Sequence, residues 1–196
     1  MSSNTKSKMT TNQLTAAAIL TAIVFVLQYF GATIRFGTFS ISTVLIPIVI
    51  GAVICGTWVA AWLGLVFGAA VLLSGDAALF LGFNAPATVF VVLLKGVCCG
   101  LAAGLVYKAV RKISNEYLAV ISAAVVCPIV NTGIFFLGCL AFFMDGVSGY
   151  AASNEWTGST VGYILLIFIG VNFLLELAIN IFFAPIVARI VKIIKK

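Results

Sequence analysis

The sequence predicts an all-α integral membrane protein, a single bundle of six transmembrane helices with both termini cytoplasmic. Of the 196 residues, 63% are hydrophobic and 8% are charged, and the mean hydropathy is +1.26. A water-soluble domain carries about 25% charged residues. The apolar residues also come in long unbroken runs, as a membrane-spanning helix requires. A membrane β-barrel would show alternating segments of about 10 residues instead.

Six apolar runs are the predicted spans, and they lie at 15–31, 41–55, 58–74, 86–107, 117–144 and 160–188. The polar segment 1–14 before the first run is a predicted cytoplasmic tail. The first run is too long for the apolar part of a cleavable signal peptide, so we expect it to be retained as a span. The predicted transmembrane domain is therefore 15–188, and it is followed by a basic cytoplasmic tail, 189–196.

The positions of the basic residues predict the orientation. Nine of the eleven Lys and Arg residues lie in the N-terminal tail, in the loop 108–116 and in the C-terminal tail. Six spans place these segments on one face, which the positive-inside rule makes cytoplasmic. The loops 32–40, 75–85 and 145–159 then face outside. The net charge of +6 follows from this topology and an anionic inner leaflet, so we expect no nucleic-acid partner.

Missing residue types exclude several kinds of chemistry. The chain has no histidine, which removes histidine-based zinc sites and general bases. Its five cysteines lie in apolar runs without a CxxC pair, where they serve as small packing residues, so we expect no metal site. A GxxxxGK[ST] phosphate-binding loop is absent, so the chain does not itself power transport with ATP. We therefore expect neither an enzyme nor a bound cofactor.

The polar residues inside the apolar runs are the candidate site. Lys95 lies within VFVVLLKGVCCG, and a lysine facing lipid at that depth costs at least ~2.5–3.5 kcal/mol. We therefore expect it to face the bundle interior. At 1.5 Å per residue, Lys95, Asn131 and Glu176 all lie roughly 18–21 Å from the cytoplasmic ends of their spans. Asn172 and Asn180 share a helix face with Glu176, because each is four residues away from it. A polar pocket between the last three spans is predicted.

Three interpretations of Lys95 and Glu176 stay open. They line a ligand site, they couple an autonomous secondary transporter to an ion gradient, or they form a static bridge in a structural subunit. A polar contact between membrane helices contributes only about 0.6 kcal/mol on average. Because that is a small return for burying two charges, and intramembrane ionisable residues mark functional sites by default, we favour the ligand site.

Small residues recur at four-residue spacing in three of the spans. Such stripes let a second helix approach closely. We expect the glycine stripes to pack within the bundle, whereas the alanine stripe of the first span, at the end of the chain, is open to a partner protein. The stripes are Gly64 and Gly68, then Gly96, Gly100 and Gly104, and finally Ala18 and Ala22.

The chain resembles one known family in its six spans with both termini inside, its alanine stripe and its long outer loops. The similarity extends to the strings FGTFSISTVLIPIVIGAVICG, WVAAWLGLVFG and PATVFVVLLKGVCCGLAAGLVYK. The family comprises the S components of prokaryotic energy-coupling factor (ECF) vitamin transporters, and the resemblance covers about residues 12–190. It implies a multi-pass protein of the prokaryotic cell membrane that binds one water-soluble vitamin or precursor from outside. It also implies docking, through Ala18 and Ala22, on a transmembrane T component that works with two ATPase subunits. The loaded protein then topples in the membrane.

The resemblance also implies a pocket made by the later spans and the outer loops. Lys95 would pair with an acceptor on the ligand, or hold Glu176 until the ligand arrives, while Asn131, Asn172 and Glu176 would bond other polar groups of the ligand. A small ligand with an anionic end and hydrogen-bond donors suits these residues, and pantothenate is our first expectation. The outer loops would close the pocket with Arg35, Phe36, Asn84 and Trp156.

Overall fold

The structure, a computed structural model, describes residues 9–31 and 43–194 together with the backbone of 35–36 and 39–40. The first part of the chain forms helices and one two-residue strand pair. These elements are α1 (Thr11–Gly31), β1 (Arg35–Phe36), β2 (Phe39–Ser40), α2 (Leu45–Ile54), α3 (Thr57–Leu73) and α4 (Ala78–Phe83). The two strands pair in antiparallel fashion, with Phe36 opposite Phe39.

The second part of the chain is built from three long helical segments. The second and third segments each contain a π-helical stretch, in which the backbone turn is wider than in an α-helix. The segments are α5 (Ala85–Ile113), then α6 (Glu116–Gly138) with the π-helix Cys139–Phe143 and α7 (Met144–Ser153), and last α8 (Thr160–Tyr163) with the π-helix Ile164–Gly170 and α9 (Val171–Ile194).

Four helical segments of the described chain are long and apolar enough to cross a membrane. They are Thr11–Gly31, Ala85–Ile113, Glu116–Ser153 and Thr160–Ile193. The helices α2 and α3 are also apolar, but they have 10 and 17 residues. At 1.5 Å per residue α2 is about 15 Å long, half of a hydrocarbon core of about 30 Å. The predicted class, a helical membrane protein, is confirmed, with four of the six predicted spans present as long apolar helices.

The second predicted span, 41–55, is shorter in the structure than in the prediction. Its helix begins at Leu45, after the β1–β2 pair. Pro47 occupies the first turn, where the missing N–H removes no bond within the helix. Leu45, Ile48 and Val49 are almost completely buried, so this short helix fills the bundle centre.

α5 begins at a side-chain cap and is longer than the predicted span. The Asn84 side chain accepts a hydrogen bond of 3.2 Å from the Ala87 backbone N–H, and Pro86 lies in the first turn. The helix continues beyond residue 107, the predicted end, to Ile113. Lys95 is therefore about 15 Å from the start of α5 and about 27 Å from its end. Its distance from the predicted cytoplasmic end is longer than the roughly 18 Å that the sequence indicated, because the helix extends beyond the predicted span.

The glycine stripes of α3 and α5 face each other, and we call this contact the glycine seam (Gly64, Gly68, Gly96, Gly100 and Gly104). A Cβ atom added to Gly64 would collide with the Gly96 carbonyl oxygen, and one added to Gly96 would collide with the Gly64 oxygen. A Cβ on Gly100 would meet the Ala60 carbonyl oxygen in the same way. The expectation that these glycines pack within the bundle is confirmed. Two helix backbones in direct contact also fix which α3 and α5 side chains lie side by side.

α1 has a buried face and an exposed face. Leu20, Val24 and Gln28 are buried against the bundle. Ala18 and Ala22 lie on the exposed face. The alanine stripe of α1 is therefore uncovered within the described part of the chain.

Candidate functional site

A cavity of about 150 Å³ lies among the ends of α1, α3 and α5 that connect to the predicted outer loops, and it reaches α6 and α9. Phenylalanine rings form much of its wall, and polar side chains interrupt that wall on several helices. The polar residues of the lining are Gln28, Asp76, Thr88, Lys95, Asn131, Thr132, Asn172 and Glu176.

Four residues that the sequence singled out line this one cavity. Lys95 comes from α5, Asn131 from α6, and Asn172 and Glu176 from α9. Asn172 and Glu176 are one helical turn apart, so both reach the same space. The three last long helices thus contribute polar groups to a single volume, in the arrangement that the depth argument predicted.

Lys95 is held by aromatic rings. Its Nζ lies 5.5 Å from the ring centroid of Phe67 and 5.3 Å from that of Phe135. Glu176 and Asp76 line the same cavity as the ammonium group. Even so, no carboxylate of the described residues forms an ion pair with Lys95. Among the described residues, the ammonium group therefore has rings beside it and no carboxylate in contact.

The inner end of the cavity contains buried polar atoms without hydrogen-bond partners among the described residues. Glu176 is 3% exposed and Asn131 is 5% exposed. Neither the Oε2 atom of Glu176 nor the Oδ1 atom of Asn131 accepts a hydrogen bond. Asn180, below them, donates from Nδ2 to the Glu176 carbonyl oxygen at 2.8 Å. An unsatisfied buried polar group costs about 1–3 kcal/mol, so stability alone does not explain these residues.

A buried hydrogen bond connects α1 to the cavity, and sequence reasoning missed both of its residues. Gln28 is 2% exposed, and its Nε2 donates to Oδ2 of Asp76 at 2.7 Å. Both side chains line the cavity. Asp76 lies in the predicted outer loop 75–85, and neither Asp76 nor Gln28 is among the site residues that the sequence predicts. The signal was available, because Gln28 is an isolated polar residue within the apolar run ILTAIVFVLQYF.

The outer wall of the cavity is a cluster of phenylalanines centred on Phe80 of α4, and we call it the aromatic wall (Phe80, Phe135, Phe143 and Phe168). The ring centroid of Phe80 lies 5.1 Å from Phe135, 5.3 Å from Phe143 and 5.4 Å from Phe168. Phe143 and Phe168 belong to the two π-helical stretches. Such stretches are frequent at functional sites. Here they bring a ring from each of two helical segments to the same side of the cavity.

Two of the predicted lid residues lie outside the cavity lining because local structure uses their side chains. Asn84 caps the first turn of α5. Trp156 donates from Nε1 to the Ser159 carbonyl oxygen at 3.1 Å, and its ring contacts that of Tyr163. For Arg35 and Phe36 the structure describes the backbone of β1, and their side chains lie outside what it describes.

Comparison with known proteins gives one match. The family model described as "ECF transporter, substrate-specific component" matches residues 12–188, which is most of the chain. No curated protein matches, and no solved structure matches.

Proposed function

Because the chain belongs to the ECF transporter substrate-specific component family, we propose that it captures a water-soluble vitamin or vitamin precursor in the cavity beside Lys95. The family consists of transporter substrate-binding components and is not an enzyme family. One observation carries the proposal. Lys95 and Glu176 line the same cavity without forming an ion pair with each other, so both groups are available to a ligand.

The ligand chemistry follows from these two groups and their neighbours. An ammonium group donates hydrogen bonds and binds an anion, whereas carboxylate and amide oxygens accept hydrogen bonds. A ligand with an anionic group for Lys95 and N–H or O–H donors for Glu176, Asn131 and Asn172 satisfies all of them. Pantothenate has a carboxylate, hydroxyl groups and an amide N–H, and it is our first candidate. Arg35, Phe36, Asn84 and Trp156 are proposed to close the cavity after loop movement.

The proposed topology has six membrane crossings with both termini in the cytoplasm of a prokaryotic cell. The four long helical segments supply four crossings, and the predicted spans 41–55, of which α2 is the helical part, and 58–74 supply the other two. Basic residues at the cytoplasmic end of α5, among them Lys108, Arg111 and Lys112, support this orientation. The cavity then opens outward, because Gln28 is near the end of α1 and Thr88 is near the start of α5. The proposed domains are the tail 1–14, the substrate-binding bundle 15–188 and the tail 189–196.

The proposed partners are a T component and two ATPase subunits. The exposed Ala18 and Ala22 offer a smooth helix face on which a second helix can pack closely. The chain has no phosphate-binding loop of its own, so separate ATPase chains would supply the energy for transport.

The test is a calorimetric titration of the purified, detergent-solubilised protein with a panel of B vitamins and their precursors. We expect one compound to bind tightly. Lys95→Met should weaken that binding by at least about 30-fold, because losing one partner of a buried charge pair costs roughly 2–5 kcal/mol. Lys108→Met, the same substitution at an exposed site on α5, is the matched control and should bind like the parent. If no compound binds, or if Lys95→Met binds equally well, the proposed site is wrong.

An ion-coupled transporter is the second candidate, and it is favoured by the presence of two ionisable side chains, Lys95 and Glu176, in one cavity within the membrane helices. This alternative predicts substrate uptake by the chain alone in liposomes under an ion gradient. The ECF proposal predicts no uptake until the T component, the ATPases and ATP are supplied. A static bridge predicts instead that Lys95→Met combined with Glu176→Leu leaves transport intact.

A further inference from the structure

We propose that Phe67 and Phe135 are positioning residues that determine specificity, because they hold the Lys95 ammonium group ready for the carboxylate of a ligand. The cavity would then select a carboxylic acid over its neutral analogue. This inference rests on the proposed function and adds to it a substrate class and two residues that the sequence did not single out.

The glycine seam places the first ring. Phe67 lies on α3 between Gly64 and Gly68, and Lys95 is next to Gly96 on α5. A Cβ on Gly68 would lie only 2.9 Å from the Val92 carbonyl oxygen, and no Cβ fits between Gly64 and Gly96. Since the two backbones cannot slide at these contacts, Phe67 and Lys95 are held side by side.

The second ring comes from the other side of the ammonium group. Phe135 belongs to α6, and its ring also contacts Phe80 of the aromatic wall at 5.1 Å. Both ring centroids are within the distance of about 6 Å at which a ring face attracts a cation. Phe67 is almost completely buried, at 2% exposure, so water does not weaken its attraction for the cation.

Two rings stabilise the cation without neutralising it. An ammonium group has three N–H donors, and two ring faces can take at most two of them. No carboxylate of the described residues forms an ion pair with Lys95, so a ligand anion does not have to displace one. The remaining N–H donor and the full positive charge are therefore available to a ligand anion in the cavity. A charge-assisted hydrogen bond to that anion is stronger than a neutral hydrogen bond.

The test measures the affinity ratio of matched acid and neutral compounds. The probes are pantothenate with panthenol, nicotinate with nicotinamide, and biotin with biotinamide, titrated into the purified full-length protein. For the pair that binds, we expect the wild type to prefer the acid. Phe67→Leu and Phe135→Leu should each lower the acid-to-neutral ratio by roughly 2- to 30-fold, the worth of a cation–π contact. Phe67→Tyr and Phe135→Tyr retain a ring face and should keep the ratio.

A matched control and a double-mutant cycle separate this role from packing. Phe168→Leu makes the same change in the aromatic wall, at a ring that lines the cavity and packs on Phe80. The described cation–π contacts of Lys95 are with Phe67 and Phe135. It should alter both affinities of a pair by the same factor. In a Lys95→Met background, Phe67→Leu and Phe135→Leu should no longer change the ratio. If Phe67→Leu fails to fold, the acid-to-neutral ratio of Phe135→Leu still tests the proposal, because Phe135 is only half-buried.

Two results would overturn the inference while leaving the proposed function intact. The first is an acid-to-neutral ratio that the Leu variants do not change, and the second is an effect that persists without Lys95. A wild type that binds no compound of this panel and none of the full panel of B vitamins and precursors would overturn the proposed function and this inference together.

Discussion

The burial of Glu176 is not explained by its contribution to the stability of the fold. The residue is buried in α9, and its Oε2 accepts no hydrogen bond from the described residues. A buried carboxylate oxygen without a hydrogen-bond partner destabilises the fold, because burial removes its hydration and no other interaction replaces it. In the proposed function, a hydrogen-bond donor of the ligand would pair with this oxygen.

Replacing Glu176 by glutamine should separate binding from stability. Glu176→Gln keeps the shape of the side chain and removes its charge, so we expect the melting temperature in detergent to stay the same or rise. Binding of the identified compound should weaken by at least about 10-fold, because a hydrogen bond to a charged group contributes roughly 1.5–3 kcal/mol. Thermal unfolding and calorimetry of the same samples measure both effects. A large loss of stability together with unchanged binding would instead make Glu176 a structural residue.

Single residues of the site could be predicted where the sequence made them conspicuous. Lys95, Asn131, Asn172 and Glu176 interrupt apolar runs, and burying a charge or an amide in a membrane needs a reason. Asn84 and Trp156 could not be placed, because a helix cap and a turn bond are local features that composition does not report. The roles of Phe67 and Phe135 could not be predicted from the sequence, because phenylalanine is common in membrane helices and its contact with a cation depends on which residues pack beside it.

Among the elements, α3 and α5 form a close backbone contact that can be tested by adding a methyl group. Gly100→Ala would press a Cβ against the Ala60 carbonyl oxygen, and backbone atoms cannot move aside without separating the helices. Overpacking of this kind costs about 1–3 kcal/mol, so the melting temperature should fall.

Gly133→Ala on α6 is the matched control for the glycine seam. A Cβ there meets nothing within 4 Å. Alanine is a better helix former than glycine by roughly 0.5–1 kcal/mol, so this variant should be as stable as the parent or slightly more stable. Equal melting temperatures for Gly100→Ala and Gly133→Ala would show that the seam is looser than the structure indicates.

The sequence predicted which segments form apolar helices better than it predicted where those helices begin and end. Long apolar runs led directly to α1, α5, α6 and α9. The second predicted span proved to be a ten-residue helix, because an apolar run does not show where a helix stops within it. The two π-helical stretches could not be predicted, since hydropathy carries no signal for one wider turn.

For the whole molecule, partner docking can be tested apart from ligand binding. Ala18→Leu with Ala22→Leu would make the exposed face of α1 too bulky for a closely packed helix. We expect co-purification with a T component and its ATPases to be lost, whereas ligand binding by the isolated chain stays unchanged. Ala178→Leu, on the exposed face of α9, is the matched control and should dock normally. Docking that survives the double substitution would place the partner surface elsewhere.

The class of the molecule followed from composition alone, but its cavity did not. A mean hydropathy of +1.26 and 8% charged residues allow only a membrane protein. The depth of Lys95, Asn131 and Glu176 along their spans predicted a polar layer between the last three spans. It could not show that α1, α3 and α4 complete the enclosure, because contacts between distant segments depend on packing that hydropathy does not encode.

The glycine seam also bears on how relatives of this chain could acquire new ligands. On the α3–α5 side, every substitution at a seam glycine adds at least one carbon atom where none fits, so mutation has little freedom there. On the opposite side, the rings of Phe80, Phe143 and Phe168 pack on one another through side chains, so they can be exchanged for smaller or more polar side chains without adding atoms to a backbone contact. A change of ligand choice in such a bundle would therefore arise on one flank of the cavity, while the flank that carries Lys95 keeps its geometry.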